Sequence, residues 1–133
     1  MAGETNLSEL VKGMAPKLNK GEYVFAVIPD INSINLPDVI CHFKEKEGIT
    51  IIIERTKADE LNLQYDYITA WITLLVYSSL EAVGLTALFS AALAKHGISC
   101  NVMAGYYHDH IFVDLKDANK AIEVLNNLSG NYT

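Results

Sequence analysis

The sequence predicts an α+β domain built on an antiparallel sheet. Three observations carry this. From residue 68 onward the apolar residues follow two periods in turn, giving the order strand, helix, strand, strand, helix. Half of the 133 residues are apolar, which is ample for a packed core. Gly, Asn, Asp and Pro separate short β-branched runs throughout the first half.

The first element reads as a helix. Leu7, Leu10, Val11, Met14 and Leu18 recur near helical spacing, and Asn6 with Glu9 has the spacing of a capping box. Pro16 should end or kink it near Ala15. Residues 22–28 form a buried strand that stops at Pro29-Asp30. Residues 30–38 read as a loop. Residues 39–46 and 49–55 make a hairpin around Gly48. Residues 57–62 suit one or two helical turns. The run Lys44-Glu45-Lys46-Glu47 reads as a solvated hairpin edge.

Residues 68–77 form a long strand, with Ile68, Ala70, Ile72, Leu74 and Val76 on one face. Trp71 is assigned to the core. Ser78 and Glu81 have capping-box spacing for the helix that follows, although Gly84 offers an alternative start. Leu85, Leu88, Phe89, Ala92 and Leu93 make that helix's apolar stripe, and Gly97 ends it. Residues 98–104 and 111–113 are the next strands, with the turn between them. Asp114 caps a last helix whose buried face is Leu115, Ala118, Ile122 and Leu125; residues 129–133 are expected to fray. This order is most of the ferredoxin-like β-α-β-β-α-β unit, short of its final strand.

The bulk numbers exclude several functions. A net charge of −6 repels phosphate backbones, so nucleic acid is not an expected partner. No stretch reaches the ~18 apolar residues of a membrane span. The polar first twenty residues lack the apolar core of a secretion signal, so a cytoplasmic protein is expected. Cys41 and Cys100 show no metal-binding spacing and read as small buried hydrophobes. There is no phosphate-binding glycine loop and no sign of a cofactor.

Topology says where a site should be. A right-handed crossover makes strands 68–77 and 98–104 parallel. The loop leaving the first and the turn leaving the second then share one end of the sheet. Ser78, Ser79, Glu81, Gly84, Tyr107, His108, Asp109 and His110 should therefore converge, with Val83 and Leu85 flanking Gly84. The helix N-terminus there suits an anion. Glu81, Asp109 or a turn carbonyl can take an ammonium. Ser78 and Glu81 equally suit a plain cap. Asn101 starts its strand and belongs nearer the opposite end unless a partner module brings it back.

His108-Asp109-His110 is open to three readings: a ligand contact, a structural turn, or a divalent metal site completed by His42 or Glu81. A histidine beside a carboxylate titrates near neutrality, so anion binding there should strengthen as pH falls. Ser78 or Ser79 with His108 is a conceivable nucleophile–base pair. Tyr106 and Tyr107 can stack on a ligand.

The segment 72–87, an apolar strand, a short polar loop, Gly84 and a Leu-rich helix, is similar to the opening of ACT domains. Gly97-Ile98-Ser99-Cys100-Asn101-Val102 resembles the stretch that starts their second strand. The whole chain resembles a group of small bacterial tandem ACT-like proteins, carried by 78–85, 100–102 and 106–110. The resemblance implies two parts: residues 1–66, a helix plus a degenerate ACT-like module, and residues 67–133, an ACT-like module. It implies a non-catalytic regulatory module that binds a small molecule, an amino acid above all, between modules in a homo-oligomer. It implies Ser78, Ser79, Glu81, Val83, Gly84, Leu85, Asn101, Tyr107, His108, Asp109 and His110 as ligand-binding residues, with no resident metal. The alternatives are a small metal-dependent enzyme using His108, Asp109 and His110, and an interaction subunit of a larger enzyme.

Overall fold

A computed structural model describes residues 6–76 and 79–131. The chain packs as two units: one runs from Lys20 to Ala70, and the other is formed by the residues before and after it.

Helix α1 (Leu7–Gly13) opens with the Asn6 side chain accepting from the Glu9 N–H at 3.1 Å, and it buries Leu10 and Val11. The helix does not continue to Leu18. Pro16 cannot join a helical ladder, and the chain instead forms strand β1 (Ala15–Leu18). Proline is tolerated there because β1 is an edge strand.

In the unit 20–70, β2 (Tyr23–Ile28), β3 (Val39–Lys44) and β4 (Ile49–Glu54) are antiparallel neighbours in the order β3-β4-β2. β2 pairs with β4 from Tyr23↔Glu54 to Ile28↔Ile49, and β3 carries a bulge between Val39 and Cys41. Helix α2 (Arg55–Glu60) follows directly. Two single 3₁₀ turns, Ile31–Ser33 and Leu36–Asp38, stand where a first crossover helix would be. Alternation on β2 and β4 puts Val24, Ala26, Ile28, Ile51 and Ile53 on one face, where Ala58 of α2 closes the core. Strand β5 (Ile68–Leu75) begins in this unit, pairing Thr69 with Tyr23 and Ile68 with Val24.

In the other unit β5 continues and leads into helix α3 (Leu85–Lys95), β6 (Asn101–Ala104), β7 (Asp109–Asp114), a 3₁₀ turn and helix α4 (Ala118–Asn131). β7 lies between β5 and β6, and it pairs antiparallel with β6. The missing sixth element is supplied from before the module. β1 pairs antiparallel with β5, from Ala15↔Leu75 to Leu18↔Ile72. The core joins Ile72, Leu74, Ile111 and Val113 of the sheet with Phe89, Leu93 and Leu125 of the helices, all fully buried.

Some expectations change in detail. β7 starts at Asp109, so Asp109 and His110 lie in a strand and the turn is confined to the residues before them. α4 buries Ala121, Val124 and Leu125, while Leu115, Ala118 and Ile122 are only half-buried. Ser129 does not fray: it sits within α4, and its hydroxyl donates to the Lys12 carbonyl at 3.1 Å. Cys41 and Cys100 are free thiols and half-buried. Among the described residues no helix is long and apolar enough to cross a membrane.

Candidate functional site

The end of β5 and the β6–β7 turn meet, as the crossover argument requires. His108 Nδ1 lies 3.4 Å from the Val76 carbonyl, just beyond β5. The turn is held by Gly105 N–H donating to the His108 carbonyl at 2.9 Å. A Cβ on Gly105 would stand 2.8 Å from that carbonyl, so the turn requires glycine.

The loop into α3 differs from a capping box. Ser79 Oγ accepts from the Glu81 N–H at 3.1 Å, making a local turn ahead of the helix. Helix α3 begins only at Leu85, with Gly84 as its N-cap at φ 102°. That conformation is left-handed, which explains why glycine occupies it. Gly84 has no side chain to offer, so the first N–H groups of α3 have no side-chain cap. Glu81 and Val83 are exposed, and Leu85 is buried. Ser78 lies outside the described residues.

Asp109 and His110 point to opposite faces of the sheet. Asp109 shares its face with Ile111 and Val113, the face covered by the helices, and is only 8% exposed. Burial pushes its carboxyl pKa up, and the nearby His110 offsets part of the rise. His110 turns to the other face, beside Trp71 and Thr73 of β5. Trp71 Nε1–H donates to His110 Nδ1 at 3.1 Å, and the Thr73 hydroxyl lies 3.1 Å from the same atom. Asn19 Nδ2–H donates to Thr73 Oγ1 at 2.9 Å and to the Trp71 carbonyl at 3.2 Å. The indole stacks on Phe112 at 6.2 Å. An acceptor at Nδ1 is a neutral imidazole with its proton on Nε2. Burial pushes the His110 pKa down, His108 lowers it further, and Asp109 pulls the other way. The expectation that a cationic histidine favours anions at this position is therefore corrected for His110.

Asn101 stands apart. It opens β6, pairs with Phe112 and is exposed, three residues along the strand from Ala104 where the turn begins. Tyr106 and Tyr107 meet edge to face at 5.2 Å and are 60% and 66% exposed. Among the described residues no three His, Cys, Asp or Glu side chains converge to hold a metal. The divergence of Asp109 and His110 is the geometric reason within this turn. Sequence reading assigned Trp71 to the core and missed Asn19 and Thr73. The two-residue offsets Trp71/Thr73 and His110/Phe112 on neighbouring strands were the available signal.

The unit 20–70 has a cleft of its own, about 500 Å³, where the chain between α2 and β5 splays from β2. It is lined by Phe25, Ala26, Val27 and residues 62–66, and it includes none of the sequence-predicted site residues.

ACT-domain profiles match residues 2–70 and 67–127. The chain belongs to the ACT-domain family. The two matches overlap at the start of β5, the strand on which both units draw. This tandem ACT protein is similar to a Vibrio cholerae protein of unknown function, described as a possible transport protein. The two share 44% identity at a TM-score of 0.84, over 92% of this chain and 95% of that one. An Agrobacterium tumefaciens protein matches with 16% identity and a TM-score of 0.72, over 87% and 89%. The ligand-free regulatory subunit of aspartate kinase from Thermus thermophilus shares the fold, with 11% identity and a TM-score of 0.60, over 85% and 95%. No curated protein matches the chain.

Proposed function

We propose that this tandem ACT protein is a cytoplasmic, non-catalytic regulatory module that binds a small metabolite, an amino acid in particular. The site we assign is the end of the second module, formed by residues 79–85 and 107–110. The observation that carries this reading is the bare N-terminus of α3. Its N–H groups have no side-chain cap, glycine stands at the cap, and the β6–β7 turn is tied to the same end of the sheet. Such a helix end suits a carboxylate or phosphate.

A thermal-shift screen tests it, with each amino acid, several nucleotides and divalent metals at millimolar concentration. A ligand at about 100 times its Kd adds about 2.7 kcal/mol to stability and raises the midpoint visibly. The reading expects an amino acid to do so, and Gly84→Val to abolish the response. A response to metals alone would sink it.

A second reading has an observation of its own. Leu80, Val83, Tyr106 and Tyr107 are between 60% and 84% exposed at this end of the module. Large apolar groups left this exposed, with Tyr106 against Tyr107, suit a protein interface. A second copy of the chain would cover them, making the protein a homo-oligomer. Light scattering of wild type and Val83→Asp tests this; a monomer in both cases counts against it.

A further inference from the structure

We propose that the cleft of the unit 20–70 receives an extended, basic peptide segment of another protein, which adds to the edge of β2 as a strand. This site is separate from the metabolite site above and does not depend on it. The sheet opens here. β2 pairs with β4 along its whole length, but with β5 only at Tyr23 and Val24. The chain ahead of β5 diverges from β2, and the gap is the cleft of about 500 Å³ between Phe25, Ala26, Val27 and residues 62–66. That volume lies in the usual range for binding clefts.

The pairing fixes where the backbone groups point. The Glu22 carbonyl accepts from the Arg55 N–H on the β4 side, and the Tyr23 carbonyl accepts from the Thr69 hydroxyl on the β5 side. Backbone groups alternate sides along an antiparallel strand. Val27, an even step beyond Tyr23, therefore turns its N–H and C=O into the cleft, where no described residue hydrogen-bonds to them. An open strand edge is a template for a further strand.

The lining selects the occupant. A residue set opposite Val27 lies on the same face as the Val27 side chain, which is 64% exposed, so an apolar side chain suits that place. The next residue turns to the other face, where Leu63 and Tyr65 pack on the core. Asp66 lines the cleft and is exposed, with no ion pair or hydrogen bond among the described residues. No cation is among the lining residues, and Arg55, which donates to the Tyr65 hydroxyl, is paired with Glu22 at 2.8 Å. With a chain charge of −6, the cleft suits lysine or arginine beside the apolar residue and repels an acidic segment.

Proton–nitrogen NMR of the intact chain tests this with the capped peptide acetyl-Lys-Val-Lys-Val-amide at millimolar concentration. The controls are the same peptide N-methylated at both valines, acetyl-Glu-Val-Glu-Val-amide and free lysine. The Val27 amide should move saturably with the first peptide. N-methylation should raise the Kd about tenfold or more, since it removes a backbone hydrogen bond and blocks the pairing. Asp66→Asn should raise it about threefold. Val27→Pro removes the N–H that faces the cleft, leaves the β4 ladder intact and should abolish binding; the N-methylated peptide makes the same test from the other side if that variant fails to fold. No saturable shift, or equal binding of the N-methylated peptide or of free lysine, overturns the proposal. A Val27 shift that follows protein concentration without peptide also overturns it, because a second copy of the chain then holds the edge.

Discussion

Trp71 and His110, on adjacent strands, are joined by an indole N–H that donates to imidazole Nδ1 across 3.1 Å. Thr73 approaches the same nitrogen, and Asn19 in turn donates to Thr73. The network needs an unprotonated Nδ1, so it holds His110 in one tautomer and in its neutral form.

That requirement gives a pH dependence with a definite sign. Burial sets the folded pKa of His110 below its ordinary value of 6.5. As pH falls below about 6.5, the unfolded chain takes up a proton that the folded chain refuses, and stability is lost until the folded pKa is passed. Asp109 acts in the opposite sense and at lower pH. Its folded pKa is raised, so the folded state protonates first, and stability is regained as pH falls through that raised value toward 3.8. Urea unfolding of wild type and His110→Gln between pH 8 and pH 5 checks the first part. His42, His96 and His108 are common to both proteins, so the difference isolates position 110. Wild type should lose stability on acidification more steeply than the variant; parallel profiles would contradict this.

Cysteine reactivity gives a second expectation. Burial pushes the Cys100 thiol up to about 11 from an ordinary value of 9.0, and burial raises Cys41 as well. The thiolate is the nucleophile, so at pH 8 Cys100 should hold on the order of a hundredfold less of it than an unperturbed thiol. Iodoacetamide labelling followed by mass spectrometry should modify Cys100 in the native chain at least that much more slowly than in urea. Equal rates would mean that the side chain is open to solvent in the native state.

The strand and helix order from residue 68 was legible because each segment keeps one apolar period over several turns. Gly84, Gly97 and Asp114 mark the element ends in the sequence itself. What was not legible depends on distant partners. Leu18 fits a helical stripe by spacing, but Pro16 breaks the helix and β5 offers a ladder, so tertiary pairing decides. Asp109 and His110 read as turn residues beside Gly105 and two tyrosines. Their pairing with Ala104 and Met103 extends the strand and sends them to opposite faces. The approach of the β6–β7 turn to the end of β5, where His108 lies against the Val76 carbonyl, followed from handedness alone. The two-residue offsets hinted that Trp71 and Thr73 share a face with His110's strand, but Asn19 joins that network only through the fold.

The supply of β1 from before the module leads to the most demanding expectation. β1 covers the edge of β5 over four paired residues, α4 packs against it, and Asn19 just beyond it accounts for hydrogen bonds to Trp71 and Thr73. A chain that starts at Lys20 would leave the β5 edge unpaired and would remove buried Leu10, Val11 and Met14 from the core. Even Leu10→Ala alone should cost about 2–5 kcal/mol, the usual range for a leucine lost from a packed core. The single tryptophan, Trp71, lies at the junction and reports directly by fluorescence. Deletion of residues 1–19 should shift Trp71 emission to the red and abolish its cooperative thermal transition. A synthetic peptide of residues 6–19 should restore both, because the strand is joined to the module by pairing and packing. If the truncated chain instead keeps the wild-type emission and midpoint, β5 does not depend on β1, and the module closes without it.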